Sequence, residues 1–271
     1  MKISVVICSR SGIPFKLATD LKKQTLQPDE IISIVGSALT TQRNEGVSKA
    51  TGDLITFLDD DVELDKHYLE QIVNTFYTYS DASAVTGNIQ VAMFPSNILY
   101  TIFSNIFLIS KRGRGRFLIS GFPESYHKDI LTTIKAEVLC GCNMTIRKEI
   151  LNWLSFNEDL EGGMFGEDDY FSYQLKKGAK LIYYNPNAIC YDSREYPQGK
   201  QAWKVRCTIL NLIMRYKDRN LNWINIITFY WAMLGFILFK LIEALIMKDF
   251  SIVKGVWSAV WKHIMYMLFR K

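Results

Sequence analysis

The chain has 271 residues, 49% of them hydrophobic, with five cysteines and a formal net charge of +5. That is enough to bury a sizeable core as one large domain, or one domain with an appendage, and it excludes a mini-protein that depends on disulfide staples. Residues 1–199 carry 20 Lys and Arg against 24 Asp and Glu, whereas residues 200–271 carry 12 against 3.

The N-terminal "MKISVVICSR" has too short an apolar run for a signal peptide, so a cytosolic address is expected. Within it, "KISVVICS" is a near-continuous β-branched run, the pattern of a central parallel strand. "PFKLATDLKKQ" puts Phe15, Leu17 and Leu21 at helical spacing after a proline start. A second strand is expected over 29–37, then a short helix in "TTQRNEGVSKAT", a strand over 53–58, and a helix in "KHYLEQIVNTFYTYS" with Asp65 as its N-cap. Residues 82–92 are again strand-like. Strands alternating with helices of this length predict an α/β fold with a mostly parallel sheet and flanking helices. There is no internal repeat, and the odd cysteine count without a Cys-x-x-Cys pair predicts reduced, buried thiols, including Cys140 and Cys142.

The expected third strand ends in "FLDDD", three adjacent acids at the carboxyl end of a parallel strand, where such sheets take their ligands. On an extended backbone Asp59 and Asp61 face one side and can share a divalent cation, since hard cations prefer oxygen ligands. The competing reading is a solvated acidic turn ahead of a helix, whose dipole welcomes negative charge. A second cluster, "EGGMFGEDDYFSYQLKKG", runs three glycines into Glu167, Asp168 and Asp169 at a helix start. Acids there need no chemistry, but one cluster can hold a metal while the other offers a general base, the pair of roles needed for transfer from a diphosphate leaving group.

Four stretches in order, "ISVVICSR", "QRNEGVSKATGDLITFLDDD", "LCGCNMTIRKEIL" and "GEDDYFSYQLKKGAKLIYYNPNAICY", resemble the inverting family 2 glycosyltransferases of GT-A fold. The resemblance implies that Ser9, Arg43, Asp59 and Asp60 lie at the nucleotide, and that Asp59 and Asp61 hold Mn²⁺ or Mg²⁺. It further implies Asp168 as general base, with Glu167 and Asn143 near the acceptor or donor sugar. Two departures stand out. The family's base-reading acidic pair after the second strand is replaced by Gly36 and Ser37, which leaves uridine, thymidine and guanosine open. Where the family often has a metal-binding His, this chain has Asp192, which either ligates the same ion or caps the turn before Arg194.

The loop "SKRGRGRF" sets Lys111, Arg112, Arg114 and Arg116 between glycines; it suits a phosphate-rich partner, or is a solvated hairpin. Before it, "NILYTIFSNIFLIS" is apolar but too short to span a bilayer and reads as a core or interfacial helix. In the tail, the uncharged 223–239 also stops short of a span unless extended past Lys240 and Glu243. Residues 250–269 place Ile252, Val256, Trp257, Val260, Trp261 and Ile264 on one stripe opposite Lys254 and Lys262. A basic tail with tryptophan in its apolar face predicts a membrane-association region, 200–271, attached to a glycosyltransferase domain, 1–199. The partners expected from these readings are a nucleotide-diphosphate sugar, a lipid-linked saccharide acceptor and anionic lipids, not nucleic acid. The expected location is the cytoplasmic face of the membrane, in envelope polysaccharide synthesis. The alternatives are a polyprenyl-phosphate sugar synthase and a catalytically silent nucleotide-sugar-binding scaffold.

Overall fold

The structure, a computed structural model, describes residues 1–91, 98–163, 165–192, 201–217 and 222–269. Its first half runs β1 (Ile3–Ser9), α1 (Phe15–Lys22), β2 (Glu30–Val35), α2 (Leu39–Lys49), β3 (Leu54–Asp59), β4 (Val62–Leu64), α3 (Tyr68–Thr78) and β5 (Ala82–Val91). Then come α4 (Ile98–Phe107), the short strands β6 (Arg112–Gly113), β7 (Ser125–Tyr126) and β8 (Ile134–Ala136), β9 (Asn143–Arg147), α5 (Lys148–Leu151), α6 (Glu167–Lys177) and β10 (Leu181–Asp192). The tail is α7 (Gln201–Lys217), α8 (Trp223–Met247) and α9 (Ser251–Phe269).

The main sheet has the order β2-β1-β3-β9-β5-β10-β4, with β8 also on β10. The pairs β1–β2, β1–β3 and β5–β10 are parallel, as the strand–helix alternation predicts. β9 is inserted antiparallel between β3 and β5, so the sheet is mixed. Period-two alternation divides each central strand between two cores. Ile3, Val5 and Ile7 of β1, with Leu54 and Leu58 of β3, pack on Leu17 and Leu21 of α1 and on Tyr68, Ile72 and Phe76 of α3. Val6, Ile55 and Phe57 face the other way, onto Ile150, Phe156, Phe171 and Leu175. At about 1.5–3 kcal/mol for each fully buried aliphatic or aromatic side chain, these two layers hold the sheet rigid beneath its loops. The polar pair Thr56 and Thr145, buried on β3 and β9, satisfies itself at 2.8 Å. Helix α3 begins at Tyr68 rather than at Asp65. The Asp65 carboxylate accepts the His67 N–H at 2.8 Å, so it organises the turn ahead of the helix.

The tail is not a separate body. Ile109 and Phe122, from the segment after α4, share a third core with Val205, Ile209, Phe229, Met233, Ile252 and Val256 of α7, α8 and α9. The change at 199/200 is therefore a change in composition, while the packing runs across it. Helix α8 continues through Lys240 and Glu243, which pair with each other at 2.5 Å, and reaches 25 residues, long and apolar enough to cross a membrane. The stripe expected on α9 splits: Ile252 and Val256 are buried in this third core, while Trp257, Trp261 and Ile264 are exposed. All five cysteines are free thiols, four of them buried.

Candidate active site

The carboxyl ends of the first three strands lie side by side, with Ser9 in register with Val35 and Cys8 in register with Ile34 and Asp59. Gln42 of α2 pins them there, Nε2 donating to the carbonyls of Ser9 at 2.9 Å and Ile34 at 2.8 Å. The Ser9 carbonyl also accepts the Gly36 N–H at 2.9 Å, and its hydroxyl accepts the Gly12 N–H at 2.7 Å. Ser9 thus closes the turn that follows β1.

Strand β3 stops at Asp59, and Asp60 and Asp61 form the turn into β4. The alternation that would set Asp59 and Asp61 on one side therefore ends at Asp59. Tertiary pairing takes over, because β4 runs antiparallel to the end of β10 with Val62 opposite Asp192. The buried Asp192 is thereby brought to the residue beside Asp61; the turn before Arg194, its other expected role, lies outside the described residues. Asp59, Asp61 and Asp192 supply only hard oxygen donors, which fit Mg²⁺ or Mn²⁺. Among the described residues no three carboxylate, imidazole or thiol groups converge to cage an ion. Ions of this type are commonly held by one or two carboxylates plus substrate phosphates, and the residues present fit that arrangement.

Arg43 sits at the centre, 1% exposed. Its Nη1 donates to Glu167 Oε1 at 2.9 Å and its Nη2 to the Gly141 carbonyl at 2.8 Å, while Asp59 Oδ1 lies 3.6 Å from Nη2. The Phe156 ring lies 5.3 Å from the guanidinium carbon. A planar fork can serve these partners at once, and a lysine ammonium cannot. The next peptide continues the path, the Gly141 N–H donating to Asp168 Oδ2 at 2.9 Å. Asp168 Oδ1 accepts the Asp169 N–H at 2.9 Å, so both carboxylate oxygens are oriented by backbone donors. The two acidic clusters, distant in sequence, are joined through Arg43 and Gly141. A Cβ on Gly141 would stand 2.9 Å from Asp168 Oδ2 and 3.2 Å from Arg43 Nη2, so a side chain there would crowd both groups.

Helix α6 starts after Gly166, which takes a left-handed φ of 100°. The three acids of its first turn sit at the favourable end of the helix dipole and turn to three different partners. Glu167 is buried against Arg43, Asp168 meets Gly141, and Asp169 lies 3.1 Å from Arg215 of α7. Burial, with the charge of Asp168 beside it, pushes Glu167 up to about 7 against the pull of Arg43. Burial likewise pushes Asp169 up to about 6, with Arg215 pulling the other way.

On its open side Asp168 forms part of the wall of a cavity of about 610 Å³. Tyr126 and Tyr184, stacked with centroids 3.8 Å apart, also line it, and Arg112, His127 and Lys128 give it a basic edge. Part of the basic loop expected to meet phosphate is therefore at the cavity. Asn143, expected near a sugar, lies inside the sheet. It is fully buried, its Oδ1 accepting from the Thr86 hydroxyl at 2.8 Å and the Gly87 N–H at 3.0 Å, with Nδ2 2.8 Å from Cys190 Sγ. Its amide thereby links β9 to β5 and β10. Glu167, also expected near a sugar, is 6% exposed and pairs with Arg43. Gln42 and Gly141 stand in stretches that resemble the family's motifs but carry no expected role there, and Arg215 lies outside them. Only Gly141 had a local signal, standing between two cysteines in "LCGCN" just ahead of the strand.

The profile of the family described as Glycosyl transferase family 2 matches residues 20–154. That likeness to family 2 glycosyl transferases spans just under half of the chain. The match takes in Arg43 and the Asp59–Asp61 turn and ends before α6. Two solved structures are similar in fold over more of the chain. A crystal structure of GalNAc-T7 with UDP, GalNAc and Mn²⁺ is 12% identical, with 78% of this chain and 48% of that one covered and a TM-score of 0.53. A crystal structure of S. aureus TarS, residues 1–349, is 13% identical, with 92% and 75% covered and a TM-score of 0.52. Such low identity supports the GT-A fold and no more, and the chain spans about half the length of the GalNAc-T7 chain it matches. No curated protein matches the sequence.

Proposed function

We propose that this chain is an inverting glycosyltransferase that moves a sugar from a nucleotide-diphosphate donor to a lipid-linked glycan at the cytoplasmic face of the membrane, in envelope polysaccharide synthesis. The observation that carries the reading is the path from Asp59 through Arg43 and Gly141 to Asp168, with a cavity on the open side of Asp168. It joins a strand-end site suited to a nucleotide with a carboxylate suited to proton abstraction. Asp168 takes the proton of an acceptor hydroxyl, and the freed oxygen attacks the anomeric carbon from the face opposite the nucleoside diphosphate. The bond from that carbon to the diphosphate breaks as the new glycosidic bond forms, and configuration inverts. A divalent cation held by Asp61, with Asp59 and Asp192, would neutralise charge on the departing diphosphate. Ser9 and Asp60 line the nucleotide end. Arg43 and Glu167 stand behind the reacting groups and keep Asp59 and Asp168 in register.

The membrane part of the proposal rests on α8 and α9. Trp223, Ile227, Tyr230, Leu234, Trp257 and Trp261 are exposed large apolar side chains in a segment with a strong excess of Lys and Arg. That combination suits a helix lying in the interface of an anionic bilayer.

The test is thermal stabilisation by UDP, dTDP, GDP and CDP, with and without Mn²⁺, on wild type, Asp61→Ala and Asp168→Asn. One nucleotide should stabilise the wild type in a Mn²⁺-dependent manner and fail on Asp61→Ala. Asp168→Asn should keep that stabilisation and lose turnover of the matching nucleotide sugar. A folded wild type that no nucleotide stabilises would overturn the donor site, and nucleotide binding without any turnover would return the scaffold reading.

A further inference from the structure

We propose that α4, although part of the catalytic body, is itself a bilayer-contacting helix, lying flush with α8 so that the two form one lipid-facing side of the enzyme. The inference rests on the reading of the tail as membrane-associated and extends it to the helix that precedes part of the cavity wall.

Helices α4 and α8 pack antiparallel. Tyr100 meets Phe239 with ring centroids 5.1 Å apart, and at the other end Phe107 stacks on Trp231 at 4.9 Å. Between them Gly235 lets the helices close, since a Cβ there would stand 2.3 Å from Phe107. The Trp231 indole N–H donates to the Ile106 carbonyl at 2.8 Å and ties the edges together. The face of α4 toward α8 is therefore Tyr100, Phe103 and Phe107. Ile98, Ile102 and Ile106, four residues apart, form a separate stripe and are 73%, 53% and 57% exposed. On α8 the residues toward α4 are Trp231, Gly235 and Phe239, and Ile227, Tyr230, Leu234 and Leu238 are exposed. At 3.6 residues per turn, each stripe is rotated from its contact line in the sense that, for an antiparallel pair, brings both to the same side. Ile119 adds to this side: its side chain is half exposed, and its carbonyl accepts the Thr228 hydroxyl of α8 at 3.4 Å.

A continuous exposed aliphatic surface across two helices marks an interaction site. Lipid is the occupant its chemistry fits. The segment 97–110 and the segment 223–239 carry no charge, and α4 leads at once into Lys111, Arg112, Arg114 and Arg116, where phosphate headgroups would meet it. α8 packs along the body from Thr228 to Phe239, so it lies beside α4 rather than apart from the enzyme. The wall of the catalytic cavity begins at Ser110 and Arg112, directly after α4. Docking through α4 therefore holds the cavity at the lipid surface, as a lipid-linked acceptor requires.

The experiment is flotation of the full chain with vesicles of phosphatidylethanolamine and phosphatidylglycerol, comparing wild type, Ile102→Glu/Ile106→Glu, Trp257→Glu/Trp261→Glu and, as a remote exposed control, Ile31→Glu. Melting temperature reports folding of each variant. The inference expects the α4 double variant to lose at least about tenfold in vesicle-bound fraction while Ile31→Glu binds as wild type. If wild type itself does not float, the membrane reading and this inference fall together. If wild type floats, the Trp257 and Trp261 variant does not, and the α4 variant does, the inference alone is overturned. A spin label on Ile102→Cys gives a second readout that needs no charged substitution. Label immersed among lipid tails supports docking through α4, and label open to water overturns it. Loss of a dimer in the α4 variant, with vesicle binding intact, would make this side a contact between copies and also overturn it.

Discussion

Arg215 of α7 lies 3.1 Å from the carboxylate of Asp169, the residue directly after the proposed general base, and its Nη2 donates to the Gly121 carbonyl at 3.1 Å. One buried guanidinium thus ties the tail both to α6 and to the loop beside the cavity. Arg215→Met should destabilise the fold by about 3 kcal/mol, because it leaves a largely buried carboxylate without its cation. Arg215→Lys should recover only part of that, since a point charge cannot reach both partners as the fork does. Hydrogen exchange should report the loss as earlier opening of α7 and of the first turn of α6. Protection unchanged in both variants would mean that the tail docks through its apolar core alone.

Gly141 leaves room for two charged groups at once. Gly141→Ala should push the Asp168 carboxylate away from its backbone donor, because its Cβ would stand 2.9 Å from Oδ2. Misplacing a catalytic group by about 1 Å costs roughly 10²-fold, so kcat should fall by about that factor with little change in nucleotide affinity. Steady-state kinetics beside nucleotide-induced thermal shifts separate the two.

Asn143 should behave as a structural residue. Asn143→Ala strands the Gly87 N–H in the sheet interior, while the Thr86 hydroxyl keeps the backbone carbonyl of residue 143 at 3.2 Å, so equilibrium unfolding should show a cost of about 2 kcal/mol. The KM for the donor sugar should stay at the wild-type value in protein that remains folded. A raised KM at unchanged stability would restore the sugar-contact role.

The raised Glu167 makes stability depend on pH with a definite sign. Its carboxyl titrates at about 7 in the folded chain against 4.5 unfolded, so between those values the native state holds a proton that the unfolded chain has released. Stability from this group is therefore complete below its unfolded value and declines as pH rises to about 7, by up to about 1.4 kcal/mol per pH unit. Denaturation midpoints measured from about pH 5 to about pH 8 should show that decline, and Glu167→Gln should flatten it. A decline that persists in the variant would assign it to Asp169.

Much of the architecture was legible in the residues. The β-branched runs at 3–9 and 54–58 are buried on both faces and could be nothing but central strands. The acids at 59–61 and 167–169 advertised themselves because like charges placed side by side need a reason. The antiparallel insertion of β9 was not legible, since a five-residue strand carries no mark of its direction. Nor were the roles within the acidic clusters, where neighbours of one chemical type turn to Arg43, to Gly141 and to Arg215.

By itself, then, the sequence determined which segments are strands and helices, that the carboxyl edge of the sheet is acidic, and that the tail is basic and apolar. Those are local properties, written in periodicity and composition. Tertiary structure alone decided that Arg43 bridges the two acidic clusters, that Asn143 is buried inside the sheet, and that the tail is tied to α6 by Arg215. Each of these depends on contacts between residues far apart in the chain. A guanidinium or an amide takes its role from the partners that folding brings to it, and no spacing along the sequence names them.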